Sequence, residues 1–341
     1  MVGGEPDQVL QQVRWTADAV LGEQVGMLWV ADAGVDWGPV ASATTHQRAE
    51  TWSQYPRSMH TVGLLHPGEM GASIGAALRR AGVQVLWVSA GRGPATRRRS
   101  QAADLTDAGT LPALVARSDL VLSVCPPHAA IQVAHTVARL EFGGLYVDAN
   151  AVAPTTARAL SVVVERAGGR FVDGDLIGGP VRPGGATRLY LSGPAAGEVA
   201  ALFAPTDLEA VALAGDLAAA SALKMCYAAW TKGTSALLLA VRAAAGAYGV
   251  EAALLAEWAR TQPDLAARSQ AAVGTARKAW RFAGEMDQIA AGFAEAGLPD
   301  GFARAAAELY RRLAAFKDLE DDPPLGEVLG RVRARSETSG S

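Results

Sequence analysis

The 341-residue chain is poor in the features that would tie it to several large classes of protein. It has only two cysteines, Cys125 and Cys226, which excludes a disulfide framework; both lie in apolar surroundings and read as reduced core residues. Its five histidines are scattered without ligand spacing, so no metal site is expected. The net charge is −3 and no basic stripe carries interleaved aromatics, which argues against a nucleic-acid partner. No apolar run approaches the ~20 residues of a membrane span. The best early candidate, residues 25–30, is short, is closed by Asp32 and follows no basic segment. Neither a membrane partner nor a signal peptide is expected, and the chain reads as cytoplasmic. Lysine is also scarce, occurring only at 224, 232, 278 and 317.

Two of those lysines fall in one stretch, residues 218–248 (AAASALKMCYAAWTKGTSALLLAVRAAAGAY), which is free of Pro and interrupted only by Gly233 and Gly246. Ala and Leu lose little on becoming helical, so one continuous helix is predicted. At about 100° per residue, Ser221, Lys224, Tyr227, Ala228, Thr231, Ser235 and Arg242 fall on one side. The apolar Leu223, Cys226, Trp230 and Leu237 fall on the others. A helix apolar on most faces is usually buried. The polar stripe then either faces solvent or points Lys224 into a site.

Residues 1–58 hold four of the eight tryptophans but no traceable strand–turn–helix order, with a short helix expected over 8–21 and loop over 41–58. They read as an N-terminal appendage. From Thr61 the pattern sharpens. Residues 61–65 (TVGLL) suit a buried parallel strand, residues 72–80 a helix closed by Gly82, and residues 83–88 (VQVLWV) a second strand. Between the first strand and the helix lies the turn His66-Pro67-Gly68-Glu69-Met70-Gly71. This order is what a dinucleotide site needs: glycine lets backbone approach the pyrophosphate, and the helix N-terminus carries partial positive charge. His66 stands where the fingerprint has its first Gly, while Gly68 and Gly71 supply the other two positions.

The second strand ends in Ser89-Ala90-Gly91-Arg92, with Arg97-Arg98-Arg99 beyond and no acid. An acid there serves the ribose hydroxyls of NAD, whereas an Arg accommodates the 2′-phosphate of NADP. Ser89 and Arg92 are therefore the expected phosphate ligands and NADP the expected cofactor, with NAD as the alternative; Arg97–Arg99 read as a solvated helix start. Strands are expected over residues 119–124 and 145–148 with a helix over 129–140 between them. Cys125, Pro126 and Pro127 follow one strand and Asn150 the other, at the carboxyl ends where open α/β sheets bind ligands. Strands over 171–176, 188–192 and 208–213 complete the sheet, and Ile177-Gly178-Gly179-Pro180 forms a turn that lets backbone approach a ligand. Beyond the long helix, helices are expected over 251–260, 265–282, 286–295 and 301–316.

In this order the chain resembles the β-hydroxyacid dehydrogenases, the family of 3-hydroxyisobutyrate and 6-phosphogluconate dehydrogenases, over residues 60–316. His66–Gly71 is similar to that family's G-L-G-x-M-G turn, residues 173–179 (DGDLIGG) to its substrate loop D-A-P-V-S-G-G, and residues 215–228 (GDLAAASALKMCYA) to its catalytic segment. KMCYAAWTKG and AGLPDGF look closest to a branch related to phosphogluconate dehydrogenase. The resemblance implies an α/β fold: a Rossmann-type doubly wound sheet over 59–216 and an all-helical domain over 217–316 joined by the long helix; residues 317–341 read from their composition as an acidic, disordered tail. The resemblance also implies hydride transfer between NADP(H) and a small hydroxy or carbonyl substrate, with Lys224 as acid/base.

This sequence departs from the family where substrate is held. Ile177 replaces a Ser, and Tyr227 and Ala228 replace two Asn. The expected site is thus Lys224, with Tyr227 as helper, and Ile177, Gly178, Gly179 and Ala228 around the substrate; Asn150 joins either cofactor or substrate. Two other readings fit the departures, an imine reductase-like enzyme and a non-catalytic NADP-binding protein. A homodimer through the helical domain is the family's default.

Overall fold

Short aliphatic runs with no polar face become the inner strands of one sheet. The structure, a computed structural model, describes residues 61–317 and 319–334. The expectations for residues 1–58, and for the tail beyond 334, lie outside the described residues. Eight strands pair: Thr61–Leu65 (β1), Gln84–Trp87 (β2), Thr106–Asp107 (β3), Leu120–Ser123 (β4), Leu145–Asp148 (β5), Arg170–Ile177 (β6), Arg188–Ser192 (β7) and Glu209–Ala212 (β8). Their order is β3-β2-β1-β4-β5-β6-β7-β8, and every pair is parallel except β6 with β7. The order reverses between β1 and β4, which opens a crevice at their carboxyl ends, the place where a doubly wound sheet takes its ligand.

Alternation along the strands feeds two cores. Val62, Leu64, Val85, Leu120, Leu122 and Val147 pack on one face, and Leu65, Leu86, Val121, Tyr146 and Phe171 on the other. Six helices flank the sheet: Glu69–Arg80 (α1), Pro94–Ala102 (α2), Leu111–Ala116 (α3), Ala130–Ala138 (α4), Pro154–Arg166 (α5) and Ala196–Phe203 (α6). Ala219–Ala247 (α7) is continuous over 29 residues, as its composition predicts. It is followed by Glu251–Thr261 (α8), Asp264–Ala271 (α9), Ala279–Glu295 (α10), Gly301–Arg312 (α11) and Leu325–Arg333 (α12). A third core joins α7 to these helices through Leu239, Ala243, Met286, Ile289, Ala307 and Tyr310.

Several expectations need correction. β3 is two exposed residues at the sheet edge, too short for a hydrophobic pattern to reveal. α10 runs without a break through residues 283–285, because Gly284 faces outward and leaves the ladder intact. Residues 272–278 form a 3-10 segment where one α-helix is expected. The tail is not disordered throughout: α12 docks on the helical core with Val328 fully buried and Val332 nearly so. Its apolar residues sit four apart, on one face of a short helix, which the acidic and Pro-rich residues before it mask in a composition reading. Cys226 is exposed on α7 and Cys125 only partly buried, so neither is a core cysteine.

Val328→Ala is expected to lower the unfolding free energy by about 2 kcal/mol. Glu327→Ala, on the exposed side of the same helix, is expected to change it by less than about 0.5 kcal/mol. Urea unfolding of the two variants measures this, and equal values would show that α12 does not belong to the fold.

Candidate active site

The crevice at the sheet's switch point is built from β1, the turn after it and the start of α1. His66 takes a left-handed backbone conformation at φ 67°, which explains why a glycine suits this position. At Gly71 a Cβ would stand 2.7 Å from the His66 carbonyl oxygen, so helix and turn approach only because that side chain is missing. Burial, with the Arg92 guanidinium adding to it, lowers the His66 imidazole to about 4, leaving it neutral at physiological pH. Its Nδ1 is buried without a partner. Pro67 is buried, Gly68 and Met70 are partly exposed, and Glu69 is exposed in the first turn of α1.

At the end of β2, Arg97 donates to the Ser89 and Arg92 carbonyls, at 2.9 and 3.1 Å. It therefore shapes this loop, which the reading as a solvated helix start misses. An acid also stands here: Asp107, from the end of β3, accepts from the backbone N–H of Ser89 at 3.2 Å and of Gly109 at 2.8 Å. The sequence gives no sign of it, because β3 has no pattern and Asp107 is remote in the chain.

The ends of β4 and β5 are tied by one amide. Asn150 accepts from the Cys125 N–H and donates to Ser123 Oγ at 3.2 Å and Asp148 Oδ1 at 2.6 Å. Its side chain, 2% exposed, lies beneath the crevice and is fully engaged there. Cys125 is partly buried, Pro126 exposed and Pro127 begins a 3-10 turn at the rim. Burial pushes the Cys125 thiol up to about 11. Burial also lifts the Asp148 carboxyl to about 8, against the hydrogen bond from Asn150 and with Asp173 pushing upward.

The second half of the site is set by how α7 starts. No side chain of its own caps it. Asp173 on β6 accepts from the Ser221 N–H at 2.8 Å and Ser221 Oγ at 2.7 Å, while Ser192 on β7 accepts from the Ala220 N–H at 2.9 Å. One turn later Lys224 Nζ donates to the Leu176 carbonyl and lies 3.6 Å from Asp175 Oδ1. Asp175 is 2% exposed and its Oδ2 has no partner. Burial lifts its carboxyl well above the ordinary range, against the pull of the Lys224 ammonium. The substrate-loop residues follow directly: Ile177 is buried and paired with Arg188, and Gly178 and Gly179 are exposed. Val181 N–H donates to Ser73 Oγ at 2.9 Å, docking this loop on α1.

Lys224 and Ala228 line a cleft with Ala151, Glu285, Gln288 and Ile289. Tyr227 does not line it; the ring is 48% exposed. The predicted stripe on α7 is therefore split. Ser221, Ala228 and Arg242 are buried, while the apolar Leu223, Trp230 and Leu237 face outward. A step of three residues turns back about 60°, enough to carry Tyr227 from the inner face to the outer one. Sequence reasoning also missed Asp175, Glu285 and Gln288. Asp175 is flagged only by being the second acid, after Asp173, in a strand buried along its length, and the two α10 residues by nothing local.

A family model described as the NAD binding domain of 6-phosphogluconate dehydrogenase matches residues 61–201, and one described as a domain of unknown function (DUF1932) matches residues 245–313. No curated protein matches. Among solved structures, a conserved protein of unknown function, described as structurally similar to 3-hydroxyacid dehydrogenases, is 27% identical; the match covers 76% of this chain and 100% of that one, with a TM-score of 0.60. A conserved hypothetical protein from Sinorhizobium meliloti 1021 is 26% identical, with 81% and 96% covered and a TM-score of 0.61. The 3-hydroxyisobutyrate dehydrogenase of Mycobacterium tuberculosis, solved with L-serine, is 18% identical, with 81% and 100% covered and a TM-score of 0.64; at that identity the likeness is one of fold.

The raised Asp148 carboxyl yields a pH prediction. Because its folded value lies above the unfolded one, its stabilising contribution is full below about pH 4 and is lost as pH rises through about 8. Asp148→Asn has no such loss. The stability gap in favour of the variant is expected to widen by about 1 kcal/mol per unit between pH 5.5 and 7.5. Denaturant unfolding at these pH values tests it, and a gap independent of pH would refute an Asp148 buried in its neutral form.

Proposed function

Because the chain belongs to the β-hydroxyacid dehydrogenase family and is an NAD(P)-dependent oxidoreductase of that family, we propose that it transfers hydride between NADP(H) and a small hydroxy or carbonyl substrate, with Lys224 as the acid/base. The observation that carries this reading is the lysine itself: a buried helix start holds it at the Leu176 carbonyl, just before the Gly178-Gly179 loop in the chain, and on the wall of a cleft.

The crevice fits a nicotinamide dinucleotide. Gly68, with nothing within 4 Å of where a Cβ would stand, leaves room for a diphosphate against the first turn of α1; Gly71 lets the His66 turn pack on that helix, and His66 Nδ1 has no hydrogen-bond partner. Pro67, Glu69 and Met70 complete the cradle, with Cys125, Pro126 and Pro127 at the opposite rim. Arg92 is close enough to lower the His66 imidazole, Arg99 donates to the Pro67 carbonyl at 3.5 Å, and β2 itself carries no acid; all three favour a 2′-phosphate. Asp107 stands on the other side of Ser89, with one oxygen held by two backbone amides.

When bound, the nicotinamide supplies or takes up the hydride. The protein positions the substrate oxygen and manages its proton. In reduction the Lys224 ammonium donates a proton to that oxygen as negative charge develops; in oxidation the amine accepts the hydroxyl proton. Asp175, with an unpartnered oxygen, is the neighbouring carboxyl for proton exchange. Water is limited by the apolar Ile289 and Ala228 walls of the cleft.

A second copy of this chain is the proposed partner. Leu223, Tyr227, Trp230 and Leu237 form an outward apolar stripe along α7, 37%, 48%, 65% and 59% exposed. Such a row on one helix face is what a helical-domain interface covers.

Lys224→Ala is expected to lower turnover by about a hundredfold or more. Its affinity for NADPH, read by cofactor fluorescence, is expected to stay within about twofold, since the lysine touches none of the cradle. Undiminished turnover would remove Lys224 from the mechanism, and a wild-type preference for NADH over NADPH would reverse the cofactor assignment. Trp230→Glu is expected to shift a dimer to monomer by light scattering; a monomeric wild type would reject the interface.

A further inference from the structure

Resting on the Lys224 reading, we propose that Gln288 and Glu285 of α10 are the specificity-determining residues of the cleft. The substrate they select carries a hydrogen-bond donor, a hydroxyl or amino group, beside its reacting oxygen in place of a carboxylate.

Gln288 lines the cleft with Lys224 and Ala228, and its Oε1 is fixed by the Ala153 N–H at 3.1 Å. With the oxygen pinned to the segment between β5 and α5, the amide nitrogen is the end left to donate; it has no hydrogen bond to protein among the described residues. On the facing wall α7 presents Lys224, Met225 and, at Ala228, only a methyl group, which leaves room there for a ligand atom. A ligand oxygen in this gap meets two donors, Lys224 Nζ and Gln288 Nε2.

Glu285, one turn before Gln288 on the same helix, also lines the cleft. Its Oε2 is held by the Lys232 ammonium, which sits 4.9 Å from the Phe282 ring centroid. The Lys232 carbonyl is in turn held by Tyr310 OH at 2.8 Å. Both ends of the Lys232–Glu285 pair are about one-seventh exposed, so its orientation is fixed by packing. Oε1 of Glu285 is left as an acceptor, and an acceptor fixed in a cleft calls for a donor on the ligand.

Charge balance gives the same answer. Lys232 is committed to Glu285, and Lys224, beside an Asp175 that burial holds toward its neutral form, serves the reacting oxygen. A substrate carboxylate on the α10 wall would bring a further negative charge beside Glu285, whose own partner Lys232 is already engaged, which is costly in a partly desolvated site. A hydroxyl or amino group meets no such barrier.

The test uses two aldehydes of equal length, glycolaldehyde and glyoxylate, with NADPH and the full-length protein. Wild type is expected to favour glycolaldehyde in kcat/KM. Gln288→Ala is expected to raise KM for glycolaldehyde tenfold or more with a smaller change in kcat and unchanged NADPH affinity. Adding Ala228→Asn to it is expected to restore part of the loss, by supplying an amide from the facing helix. Glu285→Gln is expected to shift the glycolaldehyde-to-glyoxylate ratio tenfold or more toward the acid. Since that change leaves Lys232 unpaired, the double variant Lys232→Met/Glu285→Met, judged folded by its melting curve, is read in the same way. The proposal is overturned if wild type prefers glyoxylate. It is also overturned if Gln288→Ala and the Glu285 variants keep wild-type constants within twofold while Lys224→Ala is inactive; the lysine reading then stands alone. Turnover that survives Lys224→Ala, or a wild type inert to both aldehydes, overturns both.

Discussion

A carboxylate buried at the start of a helix organises the rest of the structure. Asp173 stands on β6 with no exposed surface and takes the N–H and hydroxyl of Ser221, doing for α7 what an N-cap residue does from within a helix. The first free N–H groups of a 29-residue helix face it, and their partial positive charge favours its ionised form while burial opposes it. Because the cap comes from the sheet, the rotation and height of α7 are fixed relative to β6. Lys224 lies three residues above the cap and meets the Leu176 carbonyl at the corresponding height on the strand. A cap supplied by α7 itself would stabilise the helix equally well and leave the lysine unaligned.

The far end of α7 is held by the same device with the sign reversed. Arg242, 7% exposed, donates to Glu251 on α8 and to Ser269 on α9. Between the two anchors the inner face carries small residues, Ala228, Ala236 and Ala243, against which α10 and the helices beyond it pack closely. Where Ala228 faces Gln288 this close packing relaxes into a cleft. A larger residue at 228 would close it, so the loss of an amide there is also the gain of a space.

Much of this was legible in the sequence, and the division has a physical basis. The parallel strands showed themselves because burial on both faces leaves uninterrupted aliphatic runs, as in LVLS and LYVD. The long helix and the glycine turn showed themselves because both depend on local backbone preference. The direction of α7 did not, since an apolar stripe and a polar one give the same period; only tertiary partners decide which is inward, and Asp173 and Arg242 drew the polar one in. Lys224 was found through its motif, whereas Gln288, more than sixty residues along the chain, has a meaning only once α10 lies across α7. Asp107 escaped for a similar reason, because pairing of a two-residue strand brings it to Ser89.

The three buried acids of β5 and β6 separate framework from chemistry by how well each is satisfied. Asp173 has hydrogen bonds at both oxygens, from Ser221 and Ser192, and holds secondary structure together. Asp148, its neighbour in register on β5, has one oxygen bonded to Asn150 and the other bare, so burial decides and the group is held neutral. Asp175, two residues beyond Asp173 and on the same side of the strand, has one oxygen near Lys224 and one with no partner. An unpartnered buried oxygen costs stability. Fold requirements alone would favour an apolar residue at 175, since the same strand is apolar at 172 and 176. The acid is retained at the one place along the strand where it faces the lysine, so the cost falls where a proton has to be held and released.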